Sequence, residues 1–304
     1  MKRRIRSSAL VVLASVCIGL ALAVSAGWSQ PFWSNWLGSE KDVPYVPTTP
    51  EVVSRMLELA DLEQGDVLYD LGSGDGRIVI AAAQEYGVRA VGIDIDPALV
   101  SESRANAREE GVDGKVAFRE GNLFEEDISE ATALTMYLLQ DVNLRLRPRL
   151  LQELRPGTRI VSHAFDLGEW EPDETVYEGA SVLYKWVVPA NVSGVWRWTG
   201  PGGSGGAENS HEMRLDQEFQ KVSGAVRTGG AERTLHLVTL EGEELSFRTE
   251  TLHEGRLETM NYRGTVRGDA IEGTATPAEG GQSLPWRATR DSGTATPLDS
   301  EAGE

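Results

Sequence analysis

Between Val67 and Ala83 the chain reads Val-Leu-Tyr-Asp70-Leu-Gly72-Ser73-Gly74-Asp75-Gly76-Arg77-Ile-Val-Ile-Ala-Ala-Ala. A short apolar run ends on a carboxylate, three glycines alternate with other residues, and a helix-forming run follows. Glycine at alternate positions lets the backbone turn tightly and lets a bound group come closer than any Cβ would permit. Strand, glycine turn and helix N-terminus, in that order, form the nucleotide-binding corner of a doubly wound α/β sheet. The dinucleotide fingerprint G-x-G-x-x-G does not fit, because Arg77 stands where its third glycine should be. An acid at the strand end suits a ligand whose nearest group is an amine, not a pyrophosphate.

Two further segments continue the pattern. Arg89 to Asp94 reads as a second strand ending in a carboxylate, at the usual distance of about 20 residues from the glycine turn. Val116 to Phe118 reads as a third strand, leading into Glu120-Gly121-Asn122-Leu123-Phe124. Each part has a plain structural reading: a glycine turn can be only a turn, and a strand-ending Asp can cap a helix. Asp96, followed by Pro97 at the first helical position, fits the capping role best. The series D-x-G-x-G-x-G resembles the first motif of class I S-adenosylmethionine (SAM) methyltransferases. The resemblance implies that Asp70 faces the methionine end of the cofactor, with Gly72, Ser73 and Gly74 forming the turn. It implies that Asp94 holds the ribose hydroxyls beside Ile95, and that Asn122 and Leu123 border adenine. Asp is common where this chain has Asn122; an amide can both donate and accept.

The resemblance narrows when the flanking segments are added. Tyr45-Val-Pro-Thr48, the glycine motif, Ala90-Val-Gly-Ile-Asp94 and Trp170-Glu-Pro-Asp173 occur in one order. That series is similar to the small protein-lysine methyltransferase family whose mitochondrial members modify the ATP synthase c-subunit and the adenine nucleotide translocase, and above all to its bacterial relatives. It covers roughly half the chain, from Tyr45 to Trp186. It implies SAM as cofactor, Tyr45 and Thr48 closing over the methionine end, and a protein lysine as acceptor, with a membrane-protein lysine as one candidate.

The apolar run from Ala131 to Leu139 reads as a buried strand, and Arg159 to Phe165 as the next. Ligands in this fold lie outside the carboxyl ends of the strands, so Tyr137, Gln140 and His163 are candidates to line the acceptor side. Their structural alternatives are core packing, a helix start and a hydrogen-bonded strand histidine. Transfer to a lysine needs alignment and a neutral amine, which partial desolvation favours by lowering the amine's pKa. Tyr45, Tyr137 and His163 are the catalytic candidates, with Phe165 as a further wall of the channel. No Asn/Asp-Pro-Pro-Tyr motif follows the fourth strand, which disfavours an adenine or glutamine-amide acceptor.

The net charge of −18 argues against a nucleic-acid partner held on a basic face. Cys17 is the only cysteine, and the four histidines have no metal-ligand spacing, so no metal site is expected. A basic head, Met1 to Arg6, precedes an apolar run from Ala9 to Ala26, with Trp28, Phe32, Trp33 and Trp36 just beyond. This is either a cleaved signal peptide or a membrane anchor with an interfacial aromatic cluster. The protein is therefore expected to be membrane-associated or exported.

From about Pro189 short alternating runs separated by glycine-rich turns indicate an antiparallel meander, a small barrel or sandwich whose ends Trp196 and Trp286 would plug. The expected organisation is a signal or anchor over 1–27, a linker over 28–44, and a methyltransferase-like domain over 45–188. An antiparallel β domain over 189–290 and an unstructured acidic tail over 291–304 complete it. The fold class is α/β, a doubly wound Rossmann-like class I methyltransferase sheet followed by a small antiparallel all-β domain. Two other functions stay open at this point: a SAM-fold binding protein without turnover, and a small-molecule methyltransferase. Nothing in the sequence specifies the oligomeric state.

Overall fold

A computed structural model describes residues 45–200, 210–253 and 256–299, all within one compact unit. The N-terminal signal or anchor lies outside the described residues. The first sheet has seven strands in the order β3-β2-β1-β4-β5-β7-β6. Its members are β1 (Val67–Leu71), β2 (Arg89–Asp94), β3 (Val116–Glu120), β4 (Ala133–Met136), β5 (Arg159–His163), β6 (Glu174–Glu178) and β7 (Ser181–Val187). β1 to β5 run parallel, and β7 returns antiparallel against both β5 and β6. Helices α1 (Pro50–Leu59), α2 (Arg77–Ala81, extended by a π-helical turn to Tyr86), α3 (Pro97–Glu109) and α4 (Gln140–Glu153) accompany it. Both faces of the sheet are covered, so every residue of β1 and β4 is buried, apolar except for Asp70 and Thr135. One core joins α1 and α2 to one face, through Met56, Leu57, Val79 and Leu68; the other joins Tyr69 and Leu134 to Leu146 and Leu150 of α4.

One local expectation needs correction. The fourth strand is shorter than its apolar run, ending at Met136, so Tyr137, Leu138 and Leu139 form the loop at its carboxyl end. α3 turns Val100, Ser103 and Ala107 inward, whereas Ala105 is exposed and Leu99 half-buried. Asp96 caps it, accepting from Ala98 N–H at 2.9 Å, with Pro97 at the first helical position as expected.

The second sheet has nine antiparallel strands: β8 (Gly194–Thr199), β9 (Ser210–Glu218), β10 (Lys221–Thr228), β11 (Ala231–Thr234), β12 (His236–Glu241), β13 (Glu244–His253), β14 (Arg256–Arg267), β15 (Ala270–Pro277) and β16 (Leu284–Arg290). Neighbours in sequence pair with one another, and the last strand pairs back to the first. β11 and β12 are successive halves of one path. Only Leu235 separates them; β11 pairs with β10, β12 with β13, and Leu237 at φ 51° marks the bend. Counted that way, the nine strands make an eight-staved up-and-down barrel. Its interior is filled by Trp196, Trp198, Met213, Phe247, Tyr262 and Trp286, among others. Trp196 does sit at one end, where its Nε1–H donates to Val192 O at 2.8 Å. Trp286 does not plug the other; it packs edge-on against Trp198 and Tyr262.

One end of the barrel stands on the first sheet. Ala190 N–H donates to Gly242 O, and Phe219 from the β9–β10 turn stacks on Trp170 with ring centroids 6.0 Å apart. Trp186 Nε1–H donates to Trp170 O, Gln220 donates to Glu171 O, and Lys221 pairs with Glu171. The Trp170-Glu-Pro-Asp173 segment is therefore where the barrel rests. The expectation of an unstructured tail from Asp291 is corrected for residues 291–299. Thr294 Oγ1 accepts from Val195 N–H, Leu298 packs on the second core, and Asp299 forms a buried ion pair with Arg147. A short polar segment rich in Asp and Ser reads as solvated; the buried cation on α4 that holds it is 152 residues away.

Candidate functional site

Asp70 lies at the carboxyl end of β1, opposite Thr135 of β4. It is 2% exposed, and Thr135 Oγ1 donates to its Oδ1 at 2.7 Å. Burial pushes its carboxyl up to about 7, the Thr135 hydrogen bond opposes that, and the nearby Asp94 and Asp75 charges add to it. Among the described residues no basic side chain forms an ion pair with Asp70. A buried carboxylate of this kind is costly unless a cation compensates it.

The turn after Asp70 is fixed from β2. Gly72 and Ser73 N–H both donate to Ile93 O, at 2.8 and 3.0 Å. Gly74 N–H donates to Asp94 Oδ2 at 2.8 Å, and Asp96 N–H donates to Oδ1 at 2.9 Å. Both oxygens of Asp94 are thus oriented by backbone, each with a lone pair left over. Gly72 and Gly74 have φ of 76° and 54°, the left-handed region that glycine enters without strain. A Cβ on Gly72 would run into Leu138, and one on Gly74 into the ring of Tyr45.

That Tyr45 contact is one end of a strap. Arg77 forks onto Asp75, Nε to Oδ1 at 2.9 Å and Nη2 to Oδ2 at 2.6 Å. Its Nη1 donates to Thr48 O at 2.6 Å and its Nη2 reaches the Tyr45 hydroxyl at 3.5 Å. Burial and the Asp75 carboxylate raise the Tyr45 phenol. Thr48 is buried while Tyr45 is exposed. The segment 45–48 is therefore tied across the glycine turn by Asp75 and Arg77, two residues that sequence reasoning did not single out. The signal was there, an acid and a base two apart at the helix start, but it reads equally well as helix-end charge.

The other predicted cofactor residues are placed less uniformly. Ile95 is exposed just past β2. Ser73 is buried, and its Oγ has no hydrogen-bond partner. Asn122 uses its amide locally: Oδ1 accepts from Phe124 N–H at 3.0 Å and Nδ2 donates to Glu125. Its first role is to shape the loop that carries half-buried Leu123, which Arg149 also holds through Leu123 O.

On the acceptor side the structure brings Tyr137 and His163 together, ring centroids 3.9 Å apart. His163 is buried, its Nδ1 has no partner, and burial lowers its pKa, so it is neutral at pH 7. The next residue, Ala164, has φ 68°, a costly conformation for a residue with a Cβ. Around it Phe165 N–H donates to His163 O and Ser162 Oγ donates to Phe165 O at 2.6 Å. Polar groups of α4 grip the same loop: Gln140 donates to Asp166, and buried Asn143 to Ser162 Oγ, Phe165 O and Asp166 O. Gln140 is thus engaged with the loop. Leu138, against Gly72, joins this side of the site to the glycine turn. Tyr45 sits on the turn and not in the Tyr137–His163 pair. Among the described residues no three His, Cys, Asp or Glu side chains gather as metal ligands.

The strand order, the acid-ended β1 and β2 and the glycine turn are those of a class I methyltransferase. The model of the ANTKMT methyltransferase domain matches residues 70–174. A protein-lysine N-methyltransferase of Saccharolobus islandicus (strain REY15A) is 52% identical over 135 residues, 44% of this chain and 84% of that protein. This chain belongs to the ANTKMT-type methyltransferase family. An adenine nucleotide translocase lysine N-methyltransferase of Mus musculus is 32% identical over 183 residues, 59% of this chain and 79% of that protein. Among solved structures, one described as an RNA methyltransferase from Salinibacter ruber in complex with S-adenosyl-L-homocysteine is 58% identical. It covers 48% of this chain and 96% of that one, with a TM-score of 0.48. In this methyltransferase the family match ends at residue 174, so the barrel, from β8 onward, lies beyond the matched residues.

Proposed function

We propose that this methyltransferase uses SAM to methylate the side-chain amine of a protein lysine. The observation that carries the cofactor is Asp70, a buried carboxylate beside the glycine turn whose charge lacks a cationic partner. An α-ammonium is a group that would supply one. The oriented lone pairs of Asp94 suit a ribose diol, and the strap from Tyr45 to Thr48 suits the methionine end. These residues fit the group. When bound, SAM supplies an electrophilic methyl on a sulfonium.

The chain's own residues then have to orient an amine and keep it neutral. Buried His163 with half-buried Tyr137, Ala164 and Phe165 would partly desolvate an amine placed against them, which favours the uncharged amine. Neutral His163 is a candidate to take the amine's proton. Alignment of the acceptor by this rigid loop supplies the greater part of the acceleration. The relatives' printed activities support a protein lysine as acceptor, and the net charge of −18 disfavours a polyanion such as RNA.

Attachment to a membrane through residues 8–26, with a membrane-protein lysine as acceptor, extends the same reading. Those residues lie outside the described part, and among the described residues no helix is long and apolar enough to cross a membrane. The test is labelled SAM added to lysate from a deletion strain, with protein, RNA and small-molecule fractions counted separately. Label on protein lysines with wild type, absent with Asp70→Asn, is the expected result. Label confined to RNA or small molecules overturns the acceptor, and no label with a folded protein favours a binding protein.

A further inference from the structure

On the acceptor side the first sheet ends in a strand with an open edge. β6 pairs with β7 alone among the described strands, and β7 pairs in turn with β5, which carries His163. Ala164 N–H donates to Val182 O, so Val182 directs its backbone polar groups towards β5. Opposite Val182 on β6 is Tyr177, and opposite Tyr184, in the same phase, is Thr175. Hydrogen bonding alternates along an antiparallel pair. Thr175 and Tyr177 therefore turn their N–H and C=O away from β7, and among the described residues no backbone group meets them. At the other edge of the sheet the Phe118 carbonyl of β3 is already taken by Arg104 Nη2, at 2.7 Å.

The side chains around the β6 edge suit a cationic chain. Tyr177 is 76% exposed, and with exposed Thr175 and half-buried Tyr184 it lies on one face of the sheet. Burial, Asp166 and Tyr177 together raise the Tyr184 phenol, so the three groups share one neighbourhood. On the other face Arg55 lies near Glu58, Glu174 and Glu178 and pairs with Glu58 at 2.8 Å, while Lys185 stands opposite Glu174. Glu178, at the end of β6 nearer the acceptor loop, and Asp166 form no ion pair among the described residues. Unpaired carboxylates beside an open tyrosine ring attract Lys and Arg.

We propose that β6 is the docking edge for the acceptor protein: an extended, basic segment of it pairs as a further strand through the outward N–H and C=O of Thr175 and Tyr177. This rests on the protein-lysine reading above and adds where the protein, as distinct from its lysine, is held. Strands lie about 4.8 Å apart, so the added segment runs about 14 Å from β5. Extended chain covers about 3.3 Å per residue, so the acceptor lysine lies about four residues beyond the paired segment. Main-chain pairing supplies affinity for any extended chain, and Tyr177, Glu178 and Asp166 select a basic one.

The test compares full-length wild type with Thr175→Pro and Thr175→Val. Proline is accommodated on an edge strand where its nitrogen faces away from the ladder, so Thr175→Pro deletes one outward N–H and leaves the pairing with β7 intact. Thr175→Val keeps the N–H. Each protein is given labelled SAM and limiting protein from deletion-strain lysate, label on protein lysines is timed, and SAM affinity is measured by calorimetry. Thr175→Pro should label about threefold to tenfold more slowly than wild type and Thr175→Val, as loss of one hydrogen bond implies, with SAM affinity unchanged. Glu178→Gln, which leaves the backbone alone, should slow labelling at low salt and flatten its salt dependence. Wild-type labelling by a SAM-binding Thr175→Pro overturns the proposal, and so does an equal loss in Thr175→Val, which would assign the effect to the side chain. If Thr175→Pro no longer binds SAM, Glu178→Gln decides: a wild-type rate with unchanged salt response overturns the docking edge. Absence of label on protein lysines with wild type itself defeats the lysine reading, and the docking edge with it.

Discussion

Removing the carboxylate of Asp299 should destabilise the whole unit, although the residue lies close to the chain's end. Arg147 donates from Nε to Asp299 Oδ2 at 2.8 Å and from Nη2 to Oδ1 at 3.2 Å, and the two side chains are 8% and 4% exposed. The same guanidinium donates to Leu167 O at 3.2 Å and lies 5.4 Å from the centre of the Phe219 ring. Asp299→Ala removes a bidentate carboxylate from a buried guanidinium, and breaking a buried pair in this way costs about 3–5 kcal/mol. For a unit of this size each kcal/mol moves the melting temperature by about 2–4 °C, so a fall of about 6–20 °C is expected. Urea and thermal unfolding of the full chain give the number directly. The double variant Arg147→Met, Asp299→Leu should recover much of the loss, because an apolar pair of similar volume avoids the desolvation cost. A melting temperature within 2 °C of wild type for Asp299→Ala, where about 6–20 °C is expected, would refute the buried-pair argument.

Three further outcomes follow from the geometry. The Asp70 carboxyl titrates near 7 folded and near 4 unfolded, so the folded chain holds a proton that the unfolded one has lost. Its contribution is therefore most favourable below about pH 4 and declines as pH rises towards 7. SAM binding should release a proton and tighten up to about pH 7, and calorimetry showing pH-independent affinity would contradict the ammonium pairing. Arg77→Ala, which frees Thr48 O and Asp75, should raise KM for SAM about threefold to tenfold with a smaller change in kcat, and Arg77→Lys should recover part of it. A chain ending at Val188 should be poorly soluble, since Trp170 loses Phe219 and Arg147 loses Asp299; a well-folded, SAM-binding truncation would show that these contacts are dispensable.

The glycine turn and its geometry were legible because their constraints are local. An acid-ended strand, alternating glycines and a second acid occupy Val67 to Asp94, and each residue's role depends on neighbours within the same βαβ unit. Asp94 shows the limit of that reading, since it holds Gly74 N–H and so shapes the turn itself. The end of β4 was misplaced because apolar composition does not fix where a strand stops. The barrel's strands were visible as alternation, but closure was not. It depends on β16 finding β8, and on a bend between β11 and β12, marked by Leu237, that no turn residue announces. Asn122 also shapes its own loop, its Oδ1 accepting from Phe124 N–H.

The two halves of the site are supported by different parts of the chain, and that has a consequence for any variant of the barrel or tail. The turn, Asp94 and the 45–48 strap are held by residues 45–96 with Thr135 and Leu138, all on or beside β1, β2 and β4. The acceptor loop after His163 is held by α4, and at Leu167 O by Arg147, the same guanidinium that holds Asp299 and lies against Phe219. Loop, barrel turn and tail thus meet at a single side chain. Phe219→Ala or Asp299→Asn, assayed below the unfolding transition, should leave SAM affinity near wild type and lower the rate of methyl transfer, because what shifts is the loop that aligns the amine. Tighter alignment is worth more to the rate than to ground-state binding. A variant of either residue that weakened SAM binding as much as it slowed turnover would mean that the two halves move as one body, with Leu138 against Gly72 as the link.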